Sequence, residues 1–204
     1  MNNTTTQNFE KEKLARKLSS GRIDIILMAM LTIINIIFTF TDAQTYFFFS
    51  AFVPYRMAFY GAYLTGKLPE EYYTDWGDAS FFGNGFLIAM LVMAAIIITF
   101  YVLCFFLSKK KNAWLIFATV LFSIDTLALV GYAISYSVIA ECIIDILLHA
   151  YVLYGIISAI IAAGKLKDLP DEEIVVEDAS SATADVFPSE STVADENTED
   201  KSEE

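Results

Sequence analysis

The fold is decided by residues 83–107, which read GNGFLIAMLVMAAIIITFYVLCFFL and contain no charged side chain. This run exceeds the roughly 20 residues that an α-helix needs to cross about 30 Å of hydrocarbon. Three further apolar runs of comparable length cover residues 23–41, 113–133 and 140–164. The sequence therefore predicts an all-α polytopic membrane protein with four transmembrane helices.

The composition of the 204-residue chain agrees with a membrane location. Hydrophobic residues make up 56% of it, against roughly 45–50% in an average soluble protein, and a soluble fold has too little polar surface to cover so much apolar area. The net charge of −12 comes mainly from residues 165–204, which hold 14 acidic and 3 basic side chains. Since the chain has no basic patch, we expect no nucleic-acid partner.

The basic residues predict the orientation in the membrane. With four spans and a cytosolic N-terminus, 11 of the 13 Lys and Arg side chains fall on the cytosolic side, as the positive-inside rule expects. We expect a cytosolic basic segment over residues 1–22, a membrane domain over 23–164 and an acidic tail over 165–204, disordered from about residue 174. Both termini of this multi-pass protein then lie in the cytosol at the cell membrane.

Residues 46–64 are apolar but contain Pro54 and Arg56 near the middle. An Arg at the bilayer centre costs at least about 2.5 kcal/mol, and a fifth crossing would export the lysines at 109–111. The segment also carries nine aromatic side chains, which favour the headgroup boundary. We therefore expect an aromatic interfacial or re-entrant segment on the outer side, broken or kinked at Pro54.

Polar side chains inside the predicted spans are the candidate functional residues. Glu141, Asp145 and His149 recur every four residues and therefore share one face of the fourth span. Asp125 on the third span and Asn35 on the first lie at about the depth of His149, roughly 12 Å below the outer boundary. These five residues form a candidate intramembrane polar cluster.

Two roles are open for this cluster. The leading hypothesis is a clamp, in which the side chains join the helices by hydrogen bonds. Under it the chain is a non-enzymatic integral membrane protein of unknown specific role. Because ionisable groups in lipid are costly and often mark proton or ion paths, the alternative is a small-ion or proton transporter that uses Asp125, Asp145 and His149.

Motifs for catalysis, metal binding and cofactor binding are missing from the sequence. The single histidine excludes an HExxH zinc motif, and the chain contains no G-x-S-x-G nucleophile elbow. Asp125 and Asp145 could share a proton as paired acids do, but neither lies in a catalytic motif. We expect neither an enzyme nor a bound cofactor or metal.

Two features predict contacts with other molecules besides the lipid bilayer. Gly155, Ala159 and Ala163 follow the small-xxx-small spacing that lets transmembrane helices approach closely. This strip predicts either a seam within the chain or a homodimer contact. The acidic tail either recruits a basic cytosolic protein or serves as a solubilising extension.

Five stretches of the sequence resemble uncharacterised bacterial four-span integral membrane proteins of about this length. They are LSSGRI (18–23), YFFFSAFVPY (46–55), WLIFATVLFSIDT (114–126), DILLHAYVLY (145–154) and KLKDLPDEE (165–173). The resemblance implies an inner-membrane location. The family has no assigned activity, so no catalytic residue carries over.

Overall fold

The computed structural model describes residues 3–41, 43, 45–74 and 81–169, and these residues form only helices and connecting segments. The α-helices are α1 (Asn3–Phe40), α2 (Phe52–Leu64), α3 (Asn84–Ser108), α4 (Ala113–Ser135) and α5 (Ile139–Asp168), and a 3-10 turn covers Glu70–Tyr73. Of these, α1, α3, α4 and α5 are long and apolar enough to cross a membrane. The predicted all-α fold with four spans is confirmed. The predicted disorder from about residue 174 falls outside the described residues.

The surface of these four helices is apolar. Ile88, Leu127, Leu147 and Tyr154, which lie on three different helices, are each more than 60% exposed. A soluble protein rarely exposes so much contiguous apolar area, whereas helices of spanning length need it to contact lipid. The chain is a multi-pass membrane protein.

The predicted spans match the helices closely except at the start of α1. This helix begins at Asn3 and therefore includes most of the predicted basic segment, residues 1–22. At 1.5 Å per residue it is about 57 Å long, well beyond the thickness of the hydrocarbon layer. Its N-terminal half, with Lys11 and Arg16, therefore extends past the membrane core.

The four spans form a ring in which α1 and α4 each pack against both α3 and α5. Helices α1 and α5 approach each other closely: a Cβ added to Gly21 would lie 2.5 Å from the Cβ of Ala159 and 2.9 Å from the carbonyl oxygen of Gly155. Ala159 and Ala163 are buried within the single chain. Of the two predicted uses of the small-residue strip, the structure shows the seam within the chain. A homodimer stays a prediction, and this strip is already occupied.

Residues 46–64 fold back into the bundle and leave it at the end where they entered. After α1 the chain passes back beside that helix until the Ala51 N–H donates to Thr32 Oγ1 at 2.8 Å, eight residues before the end of α1. Then α2 returns, and the Leu64 carbonyl accepts the Phe82 N–H at 2.8 Å, just before α3 begins. Of the two predicted alternatives, interfacial or re-entrant, this geometry is re-entrant, and residues 46–64 are termed the re-entrant segment.

Pro54 starts a helix instead of breaking one, so the predicted break or kink is wrong. Because α2 begins at Phe52, Pro54 is its third residue. The N–H groups of the first turn have no partner within the helix, so proline loses no hydrogen bond there. The aromatic run made residues 46–64 look uniform, although the helix occupies only the last 13 residues up to Leu64.

Candidate functional site

Asp125, halfway along α4, is the centre of a buried hydrogen-bond network. Its side chain is 3% exposed and accepts the first two N–H groups of α2: Phe52 N–H donates to Oδ2 and Val53 N–H to Oδ1, each at 2.8 Å. The first N–H groups of a helix lack intrahelical acceptors and carry partial positive charge. One carboxylate therefore satisfies both donors, and the next residue, Pro54, has no N–H to satisfy.

His149 on α5 contacts Asp125 as the shared depth predicts. Its Nδ1 lies 2.8 Å from the main-chain oxygen of Asp145 and its Nε2 lies 3.2 Å from Asp125 Oδ2. Since a carbonyl oxygen can only accept, Nδ1–H is the donor to it, and Nε2 faces Asp125 Oδ2. The imidazole and the carboxylate are each buried beside the other, so neither polar side chain is buried without a partner. The Phe122 ring stacks on the imidazole with centroids 5.0 Å apart.

The side chains of α1 hold the polypeptide that leads into α2. Asn35 Oδ1 accepts the Phe47 N–H at 2.9 Å, and its Nδ2 donates to the Phe47 carbonyl at 2.8 Å and to Ser50 Oγ at 2.9 Å. Three residues earlier, Thr32 accepts the Ala51 N–H, and both α1 side chains are buried. The four side chains that fix the beginning of α2 are termed the polar clamp: Thr32, Asn35, Asp125 and His149.

The five predicted site residues separate into two groups. Asp125 and His149 are in contact, and Asn35 is joined to them through residues 47–53 of the re-entrant segment. Asp145 contributes a main-chain oxygen to His149, but its carboxylate lines a neighbouring pocket together with Glu141. The predicted single cluster is therefore a buried clamp with a charged pocket beside it.

Although Glu141, Asp145 and His149 were predicted to share one face of α5, the carboxylates of the two acids do not form a continuous hydrogen-bonded chain to His149. The link from Asp145 to His149 uses a main-chain oxygen rather than a carboxylate. On the other side of His149, the buried residues Val152 and Ile156 of α5 belong to the apolar core. Tyr101 adds a hydroxyl to this core that has no hydrogen-bond partner among the described residues.

The pocket beside the clamp has a volume of about 240 Å³ and lies between the re-entrant segment, α4 and α5. Three charged side chains line it, and it is termed the charged pocket: Arg56, Glu141 and Asp145, with the aromatic residues Tyr46, Phe48, Phe52 and Tyr55. The guanidinium carbon of Arg56 lies 4.3 Å from the centroid of the Tyr132 ring and 5.3 Å from that of Phe52. Arg56 therefore packs on aromatic rings inside the protein.

Sequence reasoning missed the groups that the clamp holds. The clamp acts on main-chain N–H and C=O groups of residues 47–53, and no side-chain pattern reveals such groups. Thr32, three residues before Asn35 on α1, was not among the predicted site residues. Arg56 entered the prediction only as an argument against a membrane crossing by residues 46–64. The sequence did contain one indication of where α2 begins: a proline is common in the first turn of a helix. Pro54 could therefore have indicated a helix start close to it.

Comparison with known proteins adds no family assignment, since no protein-family model, curated protein or solved structure matches the chain. The resemblance to bacterial four-span proteins stays a prediction. Within residues 3–41, 43, 45–74 and 81–169, no group of three or more His, Cys, Asp or Glu side chains is arranged to hold a metal ion. The function is therefore inferred from the geometry of the clamp and of the charged pocket.

Proposed function

We propose that this protein is a non-enzymatic component of the cell membrane, in which the polar clamp holds the re-entrant helix α2 inside the bundle. The main support for this proposal is the set of hydrogen bonds that the Asp125 side chain makes. Both carboxylate oxygens accept main-chain N–H groups of α2, and Oδ2 also contacts His149. The acid best placed to carry a proton is thus already engaged in fixing a helix, as a structural group would be.

Small-ion or proton transport is the alternative. It requires a polar route across the bundle through Asp125, Asp145 and His149. Beyond His149 the described side chains pack into an apolar core that contains Val152 and Ile156, and the Asp145 carboxylate makes no hydrogen bond to the imidazole. Both observations favour the clamp over transport.

A flux measurement tests the choice between these functions. The purified full chain is reconstituted into liposomes, and proton and cation uptake are compared with protein-free liposomes. We expect no added flux for the wild type. A flux that disappears in Asp125→Asn and His149→Ala but persists in Asp168→Asn, at the exposed end of α5, would overturn the clamp as the function and establish transport.

The proposed orientation places both termini in the cytosol and the charged pocket on the outer side. It follows from the basic residues near 109–111 and in α1, and labelling tests it. In a background without Cys104 and Cys142, Lys110→Cys should resist a membrane-impermeant maleimide in intact cells and react after lysis. Lys67→Cys, on the loop after α2, should react in intact cells. Labelling of Lys110→Cys from outside would refute this orientation.

A further inference from the structure

The charged pocket contains a cation and an anion that do not pair with each other. Arg56 Nε and Asp145 Oδ1 are both buried and have no hydrogen-bond partner among the described residues. Neither side chain lies within 4.0 Å of an oppositely charged group in the described part of the chain. Buried polar atoms are normally satisfied, and leaving them unpaired is costly. These two atoms are themselves enclosed by the protein, but both residues line the same pocket. A cation and an anion without an ion-pair partner at one pocket point to a ligand with groups of both signs.

The chemistry of each side chain narrows the ligand. The guanidinium of Arg56 packs beside aromatic rings, which hold it in place, and its planar fork matches the oxygens of a phosphate. Asp145 needs a hydrogen-bond donor, and Glu141 adds a second carboxylate to the same pocket. A primary ammonium supplies three N–H donors, whereas a trimethylammonium group supplies none.

The size and place of the pocket suit a lipid headgroup. Its volume of about 240 Å³ is below the 300–1,000 Å³ typical of pockets for drug-sized ligands. Glu141 and Asp145 lie in the first two turns of α5, at the end of a membrane-spanning helix, and headgroups occupy the layer at such ends. The aromatic side chains Tyr46 and Tyr55 add rings that attract a cation.

We infer that the charged pocket binds a phosphoethanolamine group, with the phosphate on Arg56 and the ammonium on Asp145 and Glu141. The group is supplied by a phosphatidylethanolamine lipid or by free phosphoethanolamine, which share this chemistry. The site goes beyond the proposed function. It rests on the clamp only because the clamp fixes the position of α2, which carries Arg56.

Lipid selectivity of the wild-type chain tests the site without any substitution. The full chain in detergent is titrated with phosphatidylethanolamine, phosphatidylcholine and phosphatidylglycerol, and bound lipid is counted by native mass spectrometry. We expect phosphatidylethanolamine to bind roughly tenfold more tightly than the other two, because each of them loses one charge-assisted hydrogen-bonding group. Equal binding, or a preference for either of the other lipids, would overturn the proposal.

Substitutions then locate the site. Arg56→Gln and Asp145→Asn should each weaken phosphatidylethanolamine binding roughly tenfold, whereas Lys67→Gln and Glu70→Gln, which change charges on the exposed loop after α2, should not. An undiminished preference in both pocket variants would overturn the assignment. Circular dichroism checks the fold of each variant, and if one does not fold, the wild-type selectivity still decides.

Competition with free phosphoethanolamine distinguishes the two sources. Displacement of the lipid by the free compound supports the site with a soluble ligand, and retention of the lipid supports it with a membrane ligand. If neither compound binds, the proposal is overturned. The clamp is tested separately by the melting temperature of Asp125→Asn, so failure of the pocket and failure of the clamp give different results.

Discussion

Replacement of Asp125 by Asn tests the polar clamp with almost no change of shape. The carboxylate oxygens accept the N–H groups of Phe52 and Val53 at 2.8 Å each. Asparagine has one acceptor oxygen and one NH₂ donor at the same positions. Whichever way the amide turns, its NH₂ faces one of these two main-chain donors, and that N–H loses its acceptor inside the bundle.

The expected cost follows from these contacts. Loss of a helix N-cap costs about 1–2 kcal/mol, and a buried donor left without a partner costs about 1–3 kcal/mol. The two effects concern the same N–H and overlap in part, so we expect a loss of about 2–4 kcal/mol in the free energy of unfolding. For a domain of 150–250 residues this lowers the melting temperature by roughly 5–15 °C.

Two measurements check this expectation. Thermal unfolding in detergent, followed by circular dichroism, compares Asp125→Asn with Asp168→Asn, an exposed control at the end of α5 that should stay within about 0.5 kcal/mol of wild type. Cysteine labelling follows the re-entrant segment itself. Ser50, 2% exposed, should resist labelling as Ser50→Cys alone and react when combined with Asp125→Asn. Wild-type melting together with a protected cysteine in both proteins would refute the clamp.

Four other substitutions test separate parts of the bundle by thermal unfolding. Gly21→Ala places a Cβ 2.5 Å from the nearest atom of α5 and should cost about 1–3 kcal/mol. Gly131→Ala, on α4 with nothing within 4 Å, should stabilise by about 0.5–1 kcal/mol, and equal melting of the two variants would contradict the seam. Asn35→Leu leaves the N–H and C=O of Phe47 without their partners and should cost about 2–4 kcal/mol; unchanged melting would count against the role of α1. Arg22→Gln removes a donor 2.7 Å from the last carbonyl of α3 and should cost about 1–2 kcal/mol, and a melting temperature at or above wild type would contradict that contact.

The four spans were predictable because their signal is local. A run such as residues 83–107 specifies a helix by its length and apolarity, and a membrane requires the helix to satisfy its own main-chain groups. The contact between Asp125 and His149 was predictable for a related reason. A constant rise per residue converts sequence position into depth, and two ionisable groups at one depth in a small bundle have few partners other than each other.

The re-entrant helix and its capping were not predictable in the same way. Its beginning at Phe52 depends on acceptors supplied by Thr32 on α1 and Asp125 on α4, far away in sequence. The donors are main-chain N–H groups, which every residue except proline has. The amino-acid sequence therefore does not indicate which of these groups will be held by a distant side chain. Asp145 illustrates the same limit. Its helical spacing placed it on the same face of α5 as His149, but the spacing could not show that its main-chain oxygen contacts His149 while its carboxylate lines the charged pocket.

The clamp and the charged pocket depend on each other through the register of α2. Arg56 follows Phe52 by four residues, about one turn of helix, and the Phe52 N–H is fixed on Asp125. His149 contacts that same carboxylate and is fixed in turn by the main-chain oxygen of Asp145. A shift of α2 therefore moves Arg56 relative to Asp145, and the phosphoethanolamine site should lose affinity in Asp125→Asn although that residue does not line the pocket. Asp125 is then the structural group, and Asp145, one helical turn before His149 on α5, is the binding group. Two aspartates one turn apart in depth thus have different roles.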